Sequence, residues 1–246
     1  IKNSAEVLLV LINDILDLSK IEANKLEFQE IEFDLRNLLA DFSATMLYKT
    51  QRQGLAFHSS IASEITSYFK GDPGRLRQVL TNLVGNAIKF TEKGKIELKC
   101  QLREKDDTSS TLYFSVKDTG IGIPEAIRKK LFKKFTQGDS STTRQFGGTG
   151  LGLAISKQIV EHMGGEIGID TSNEVGSLFW FTVRLKRARK RTALKPEKGL
   201  AGTRVLYIDG SAVNRTDMAK RFEQWEVEFK TAPKGTEGLD LMYRAK

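Results

Sequence analysis

Apolar and polar positions alternate along this chain with periods that divide it into helices and strands. Leu8, Leu11, Ile15 and Leu18 recur at three- and four-residue steps, which predicts one helix over 4–28 with Asp14, Asp17, Lys20 and Glu22 on its wet side. Val7, Leu9, Val10, Ile12 and Leu16 widen its apolar face, so the helix has two sides to bury, as in a bundle or a dimer. A short strand over 30–34 leads to Asp34 as the N-cap of a second helix, whose buried face is Leu35, Leu38, Leu39, Phe42 and Met46. Leu55, Phe57, Ser59 and Ile61 alternate as a strand. A third helix is predicted over 73–90, with proline at its permitted start and Leu76, Val79, Leu80, Leu83, Val84 and Ile88 inward. Strands over 95–103 and 111–117, joined by a polar loop over 106–111, then a helix over 149–163 and strands over 166–170 and 178–185 complete the pattern. Helices and antiparallel-capable strands in this succession predict a two-layer α/β sandwich.

The chain has 246 residues, 39% of them hydrophobic, enough for one substantial core plus smaller pieces. Its longest apolar run, residues 7–12, is far below the roughly 20 residues of a membrane span. No charged-then-apolar leader opens the sequence, and a first residue other than Met suggests a fragment or a processed product. A membrane-anchored parent is compatible with both facts. Cys100 alternates with inward strand residues and reads as a small hydrophobe in a reducing, cytoplasmic setting. The net charge of +8 is concentrated in Lys186, Arg187, Arg189, Lys190, Arg191, Lys195 and Lys198. That stretch lacks the aromatic interleaving of a base-stacking surface, so it reads as a solvated linker over 187–201 and no nucleic-acid partner is expected.

Four blocks carry the candidate chemistry. On the third helix Asn82, Asn86 and Lys89 stand at steps of four and three and share one face. An amide oxygen suits Mg2+, and a lysine ammonium can reach a phosphate. Alone, this row is simply the wet side of a helix. Asp118 ends a strand on the same face as Leu112, Phe114 and Val116, so its carboxylate starts near the buried side and needs a partner. The exocyclic amine of adenine is such a partner, and Gly120 and Gly122 leave room for a flat base. The plain alternative is a tight turn capped by the aspartate itself. Gly147, Gly148, Gly150 and Gly152 feed a helix N-terminus that offers N–H groups to phosphate. The preceding polar stretch, 136–146, reads as a mobile flap in which Arg144 could add a phosphate contact. Phe132 and Phe135 read as anchors for that flap.

In order, these blocks resemble the N box, first glycine box, F box and second glycine box of the sensor histidine kinases. Asp72, Arg75 and Gln78 also agree with that family's approach to the N box. The resemblance covers residues 4–186 and implies a Bergerat-type (GHKL) two-layer α/β sandwich preceded by a long helix. It implies that ATP and Mg2+ are the cofactors. Asp118, with Gly120 and Gly122, would recognise adenine; Asn86, supported by Asn82, would hold the metal; and Lys89 and Arg144 would meet phosphate. Gly148, Thr149, Gly150, Leu151 and Gly152 would line the loop over the triphosphate. In the related gyrase-type ATPases a glutamate that activates water stands where this chain has Asn82. An amide is no general base at neutral pH, which favours transfer to a protein side chain over hydrolysis.

Residues 11–22 look like the second helix of the family's dimerisation hairpin, which implies a homodimer through 4–28 in the parent. The family's acceptor histidine, followed by an acid on the first helix of that hairpin, has no counterpart here. His58 and His162 are the only histidines and both read as structural, so autophosphorylation of this chain alone is not expected. Residues 202–246 look like the start of a response-regulator receiver, a flavodoxin-like α/β segment. Asp209 is followed by Gly210 where receivers carry a second acid. The domain organisation expected is therefore a dimerisation helix (1–29), an ATP-binding domain (30–186), a basic linker (187–201) and a partial receiver (202–246). The function expected is a hybrid histidine kinase core that transfers the γ-phosphoryl group of ATP to a histidine outside this chain. From there the group would pass to an aspartate of a response regulator or receiver domain. The competing reading is a nucleotide-gated interaction module without transfer.

Overall fold

The computed structural model describes residues 12, 15–17, 19, 20, 23, 26–128, 130–133, 150–170, 176–188, 203–210, 215, 216, 218, 219, 222, 223 and 225–244. The chain divides into two compact units, Ile1–Arg189 and Lys190–Lys246.

In the first unit, residues 12, 15–17, 19 and 20 are helical, and 26–30 have left the helix for an irregular path. The predicted extension of this helix to Phe28 is therefore too long. Phe28 instead stacks on His162, with ring centroids 5.3 Å apart, and the Gln29 N–H donates to Asp72 Oδ2 at 3.0 Å. Strand β1 (Ile31–Asp34) runs directly into helix α1 (Leu35–Gln51), capped by the Asp34 carboxylate accepting from the Asn37 N–H. Its apolar face, Leu35, Leu38, Leu39, Phe42 and Met46, is buried as the periodicity requires.

Strands β2 (Ala56–Ile61) and β3 (Tyr68–Gly71) precede helix α2 (Pro73–Phe90). Asp72 caps α2 through the Arg75 N–H, and proline occupies its first turn, where no N–H is needed. Strands β4 (Lys95–Lys105) and β5 (Ser109–Asp118) follow, then the single turn α3 (Glu125–Arg128), helix α4 (Gly152–His162) and strands β6 (Ile167–Asp170) and β7 (Leu178–Arg187).

The strands form one seven-stranded sheet in the order β1-β3-β7-β5-β4-β2, with β6 also on β7. β2 pairs parallel with β4, and every other pairing in this sheet is antiparallel. One face of the sheet receives α1, α2 and α4 over a core that includes Phe42, Phe69, Leu80, Leu98, Phe114 and Phe181. The Phe114 and Phe181 rings stack 4.7 Å apart across neighbouring strands. Cys100 belongs to the same core at 1% exposure. Lys186 and Arg187, the first residues of the basic stretch, are the last residues of β7, so the strand runs one residue into the linker expected over 187–201. Lys186 pairs with Glu30, and Arg187 donates to the Asp106 carbonyl.

In the second unit, β8 (Arg204–Ile208) pairs parallel with β9 (Glu228–Ala232), and helix α5 (Gly235–Tyr243) follows. Phe222 is buried among Tyr207, Trp225 and Phe229. The β8 segment is only partly buried: Ile208 is 45% exposed. Among the described residues no helix is long and apolar enough to cross a membrane.

Candidate nucleotide-binding site

The site is assembled on two helices and one strand end. Because α2 buries Leu76, Val79, Leu80, Leu83, Val84, Ala87 and Ile88, its polar row of Asn82, Asn86 and Lys89 is forced to the opposite, half-buried side. Asn82 Nδ2 donates to Ser156 Oγ on α4 at 2.9 Å, and Asn86 Nδ2 approaches Asn82 Oδ1 at 3.5 Å. Asn82 is thus held by α4, while Asn86 Oδ1 accepts no hydrogen bond among the described residues and is free to meet a cation. The Lys89 ammonium lies 4.8 Å from the centroid of the Phe90 ring, and burial holds its pKa below the usual lysine range.

Gly150 has φ +68°, and Gly152 opens α4. A Cβ on Gly152 would stand 2.4 Å from Asn82 Oδ1, so the close approach of α4 to the Asn82 amide needs a glycine there. Leu151 turns its side chain into the core at 2% exposure. Arg144, Gly147, Gly148, Thr149 and Phe135 lie outside the described residues. Leu131 and Phe132 pack against the core as partly buried anchors.

At the end of β5, Asp118 is 3% exposed. Its Oδ1 accepts the Gly120 N–H at 2.8 Å and the Ser177 N–H at 3.2 Å, and its own N–H donates to the Ser177 carbonyl at 2.9 Å. Burial raises the carboxyl pKa above its ordinary value, against the opposing pull of those two N–H groups. Among the described residues Oδ2 accepts no hydrogen bond, which leaves one acceptor for an incoming donor. The turn after Asp118 is pinned on both sides. The Ile121 N–H donates to the Phe90 carbonyl at 3.2 Å, and the Lys95 N–H to Thr119 Oγ1 at 3.0 Å. A Cβ on Gly120 would meet the Phe90 carbonyl oxygen at 2.2 Å, so the turn can seat against the end of α2 only without a side chain. Gly122 has φ +71°, and Ile121 presents a large apolar side chain at 66% exposure.

Several contributors escape a reading of the sequence. Gly176 and Ser177 hold Asp118, although they lie 58 and 59 positions away and carry no signal beyond a glycine-serine pair ahead of a strand. Ser156 was legible only as a polar residue within the apolar face of α4. Among the described residues Thr91 Oγ1 is buried without a hydrogen-bond partner beside Gly120, a polar atom turned towards the same turn. His58 is exposed on β2, and His162 shares Nδ1 with the Gln158 carbonyl at 2.9 Å.

An α/β sandwich with an amide-lined helix, a buried strand-end carboxylate and a glycine-opened helix defines a nucleotide-binding class. Residues 71–187 match the family described as histidine kinase-, DNA gyrase B-, and HSP90-like ATPase. The sensor histidine kinase GacS of Pseudomonas protegens is 40% identical over 249 residues, covering 100% of this chain and 27% of GacS. Full-length ShkA, solved in complex with AMPPNP, superposes with a TM-score of 0.65 at 30% identity over 97% of this chain and 48% of its own. The catalytic domain of the histidine kinase ThkA does so with a TM-score of 0.53 at 31% identity, covering 64% of this chain and 95% of that domain. ThkA has also been solved with the response regulator TrrA, a match of TM-score 0.54 at 26% identity over 76% of this chain and 49% of its own. This chain belongs to that ATPase family and carries a histidine kinase ATP-binding domain. It spans about a quarter of the length of the curated relatives it matches.

Proposed function

We propose that the chain binds Mg-ATP between α2, α4 and the Asp118 turn. In its longer parent it would present the nucleotide to a histidine on a dimerisation helix outside this chain, for relay to an aspartate of a response regulator or receiver domain. The single observation that carries the reading is the Asp118 carboxylate, almost fully buried, fixed through Oδ1 by two backbone N–H groups and, among the described residues, left with Oδ2 unpaired. A buried acid without a cationic partner is costly unless a ligand supplies a donor, and the amino group of adenine matches that need.

The remaining residues fit the rest of the ligand. Asn86 would hold Mg2+ while Asn82, tied to Ser156, keeps the Asn86 amide in place. Lys89 would meet a phosphate, and Gly150, Leu151 and Gly152 at the start of α4 would line the loop over the triphosphate. Gly148, Thr149 and Arg144 would add phosphate contacts from the preceding loop. Bound Mg-ATP supplies the γ-phosphoryl group. With an amide at position 82, no side chain there can take a proton from water, which favours transfer over hydrolysis.

The domain boundaries proposed are a dimerisation segment over 1–29 whose helix ends before residue 26, the ATP-binding domain over 30–186, a basic linker over 187–201 and a receiver-like segment over 202–246. Homodimerisation through the first helix is supported by Ile12, Ile15 and Leu16, which are 45%, 53% and 52% exposed in the single chain.

Calorimetry with and without Mg2+ tests the site. ATP should bind the parent chain, weaken strongly for Asp118→Asn and lose its metal dependence for Asn86→Ala. Phosphoryl transfer to a supplied acceptor hairpin then separates the kinase from a nucleotide-gated interaction module. Absence of ATP binding by the folded parent chain would remove both readings.

A further inference from the structure

The first helix meets the nucleotide-binding unit through a polar contact. Asp17 Oδ2 accepts from Arg75 Nη1 at 3.0 Å and from Gln78 Nε2 at 2.8 Å, and Arg75 Nη1 also donates to Gln78 Oε1 at 2.8 Å. The three side chains close a triangle. Helical periodicity alone places Asp17 on the wet side, yet its side chain is only 16% exposed and that of Arg75 20%. Charge-assisted bonds in such a half-dry setting gain strength from the lowered dielectric, while water still has access to replace them.

The described apolar residues of the same helix are not covered by this contact. Ile12, Ile15 and Leu16 are each about half exposed, whereas docking driven by the hydrophobic effect would have covered them. The segment after the helix is pinned twice more, and on both helices of the site. Gln29 N–H bonds Asp72 at the N-cap of α2, and Phe28 stacks on His162 in the last turn of α4. Arg75 and Gln78 sit in the opening turns of α2, and Asn82 follows Gln78 by one turn on the same rigid helix. Any change in how the first helix seats on Arg75 and Gln78 therefore carries the Asn82, Asn86 and Lys89 row with it as one piece.

We infer that Asp17, Arg75 and Gln78 form a polar docking clasp that sets the position of the nucleotide site relative to the first helix. They are positioning residues, since their side chains bond one another and not the Asp118 turn or the Asn82–Asn86 pair. The clasp spends a carboxylate on the helix's own chain and leaves Ile12, Ile15 and Leu16 open to a partner. Its polar chemistry makes the seat specific in angle and reversible, which a greasy contact of the same size would not be. The inference deepens the nucleotide-site reading, but it stands or falls on a separate measurement.

Spin labels on Lys20→Cys and Lys157→Cys in the 246-residue chain, diluted with unlabelled chain, report the distance from the first helix to α4. Cys100, 1% exposed, is not labelled in the native protein. A single narrow distance is expected for the parent. Asp17→Asn and Arg75→Asp should each shift the population towards longer, broader distances, with the ratio of docked to undocked chains falling about tenfold. The charge swap Asp17→Arg with Arg75→Asp should restore the narrow distribution, a rescue that a general packing role would not give. Thermal midpoints within a few degrees of the parent's show that the variants fold. AMPPNP affinity within about twofold of the parent's separates positioning from binding. Unchanged distances in both single variants would overturn the clasp, as would a swap that restores nothing. Failure of the parent itself to bind AMPPNP would count against the nucleotide reading and leave the distance result to decide the clasp.

Discussion

Gly152 and Asn82 meet at the closest point between the two helices of the site: a Cβ on Gly152 would lie 2.4 Å from Asn82 Oδ1. One helix lacks a side chain there so that the other can aim an amide, and Ser156 one turn further on holds that amide at 2.9 Å. Gly152→Ala should therefore spare the backbone and rotate Asn82, since the clashing atom ends a side chain. The expected cost in stability is about 1–2 kcal/mol. The larger effect should be on Mg-dependent ATP affinity, reduced at least tenfold in a calorimetric titration, while metal-free binding changes less.

Asp118 is the place where binding and stability oppose one another. Its folded pKa is raised by burial, so the folded chain holds a proton more tightly than the unfolded one. Stability from this group is then greatest below the ordinary aspartate value of 3.8 and declines as pH rises from there through the raised folded value. Asp118→Asn keeps an oxygen for the Gly120 and Ser177 N–H groups and removes the charge. Its unliganded thermal midpoint at pH 7 should equal or exceed that of the parent, although ATP binding is lost. A midpoint well below the parent's would contradict this account of the buried carboxylate.

Gly176 supports the same carboxylate from behind. With φ +79° and a prospective Cβ 1.9 Å from the Asp118 carbonyl oxygen, Gly176→Ala combines a disfavoured conformation with a backbone clash. A loss of about 3 kcal/mol in urea unfolding is expected, with weaker ATP binding in whatever remains folded. Gly85→Ala is the matched control, because a Cβ there meets nothing within 4 Å. In a helix interior it should stabilise by about 0.5–1 kcal/mol.

Asp72 joins two segments through its two oxygens, capping α2 at Arg75 N and receiving Gln29 N. Asp72→Ala should cost about 1–2 kcal/mol. It should also speed amide hydrogen exchange at both Gln29 and Arg75, whereas Asp72→Asn should recover most of the cap.

Cys100, buried against the helices, has its thiol pushed up to about 12, with desolvation the main cause. Alkylation by iodoacetamide at pH 8 should be slow in the native chain and immediate after denaturation, as intact-mass measurements would reveal.

Local pattern alone settled much of this molecule. The burial of Leu35, Leu38, Leu39, Phe42 and Met46, the span of α2 with its proline start, and the inward row of Leu112, Phe114, Val116 and Asp118 all follow from periodicity and capping. These features are set by neighbours within a few positions, so a linear reading contains them. The short strand Tyr68–Gly71 was not legible, because four residues carry no period and their strand character comes from pairing with β1 and the end of β7. The parallel pairing of β2 with β4 is likewise a matter of where the intervening chain crosses over.

The residue types of the site, Asn82, Asn86, Lys89, Asp118 and the glycines, were written in the sequence as blocks with recognisable chemistry. Their mutual arrangement was not. Ser156 on Asn82, Gly176 and Ser177 on Asp118, and Arg75 and Gln78 on Asp17 are contacts between residues far apart in the chain. Hydrophobic periodicity fixes which face of an element is buried, because that needs only the element itself. Which polar group answers another across the fold depends on how the buried faces stack, and only the tertiary structure decides it.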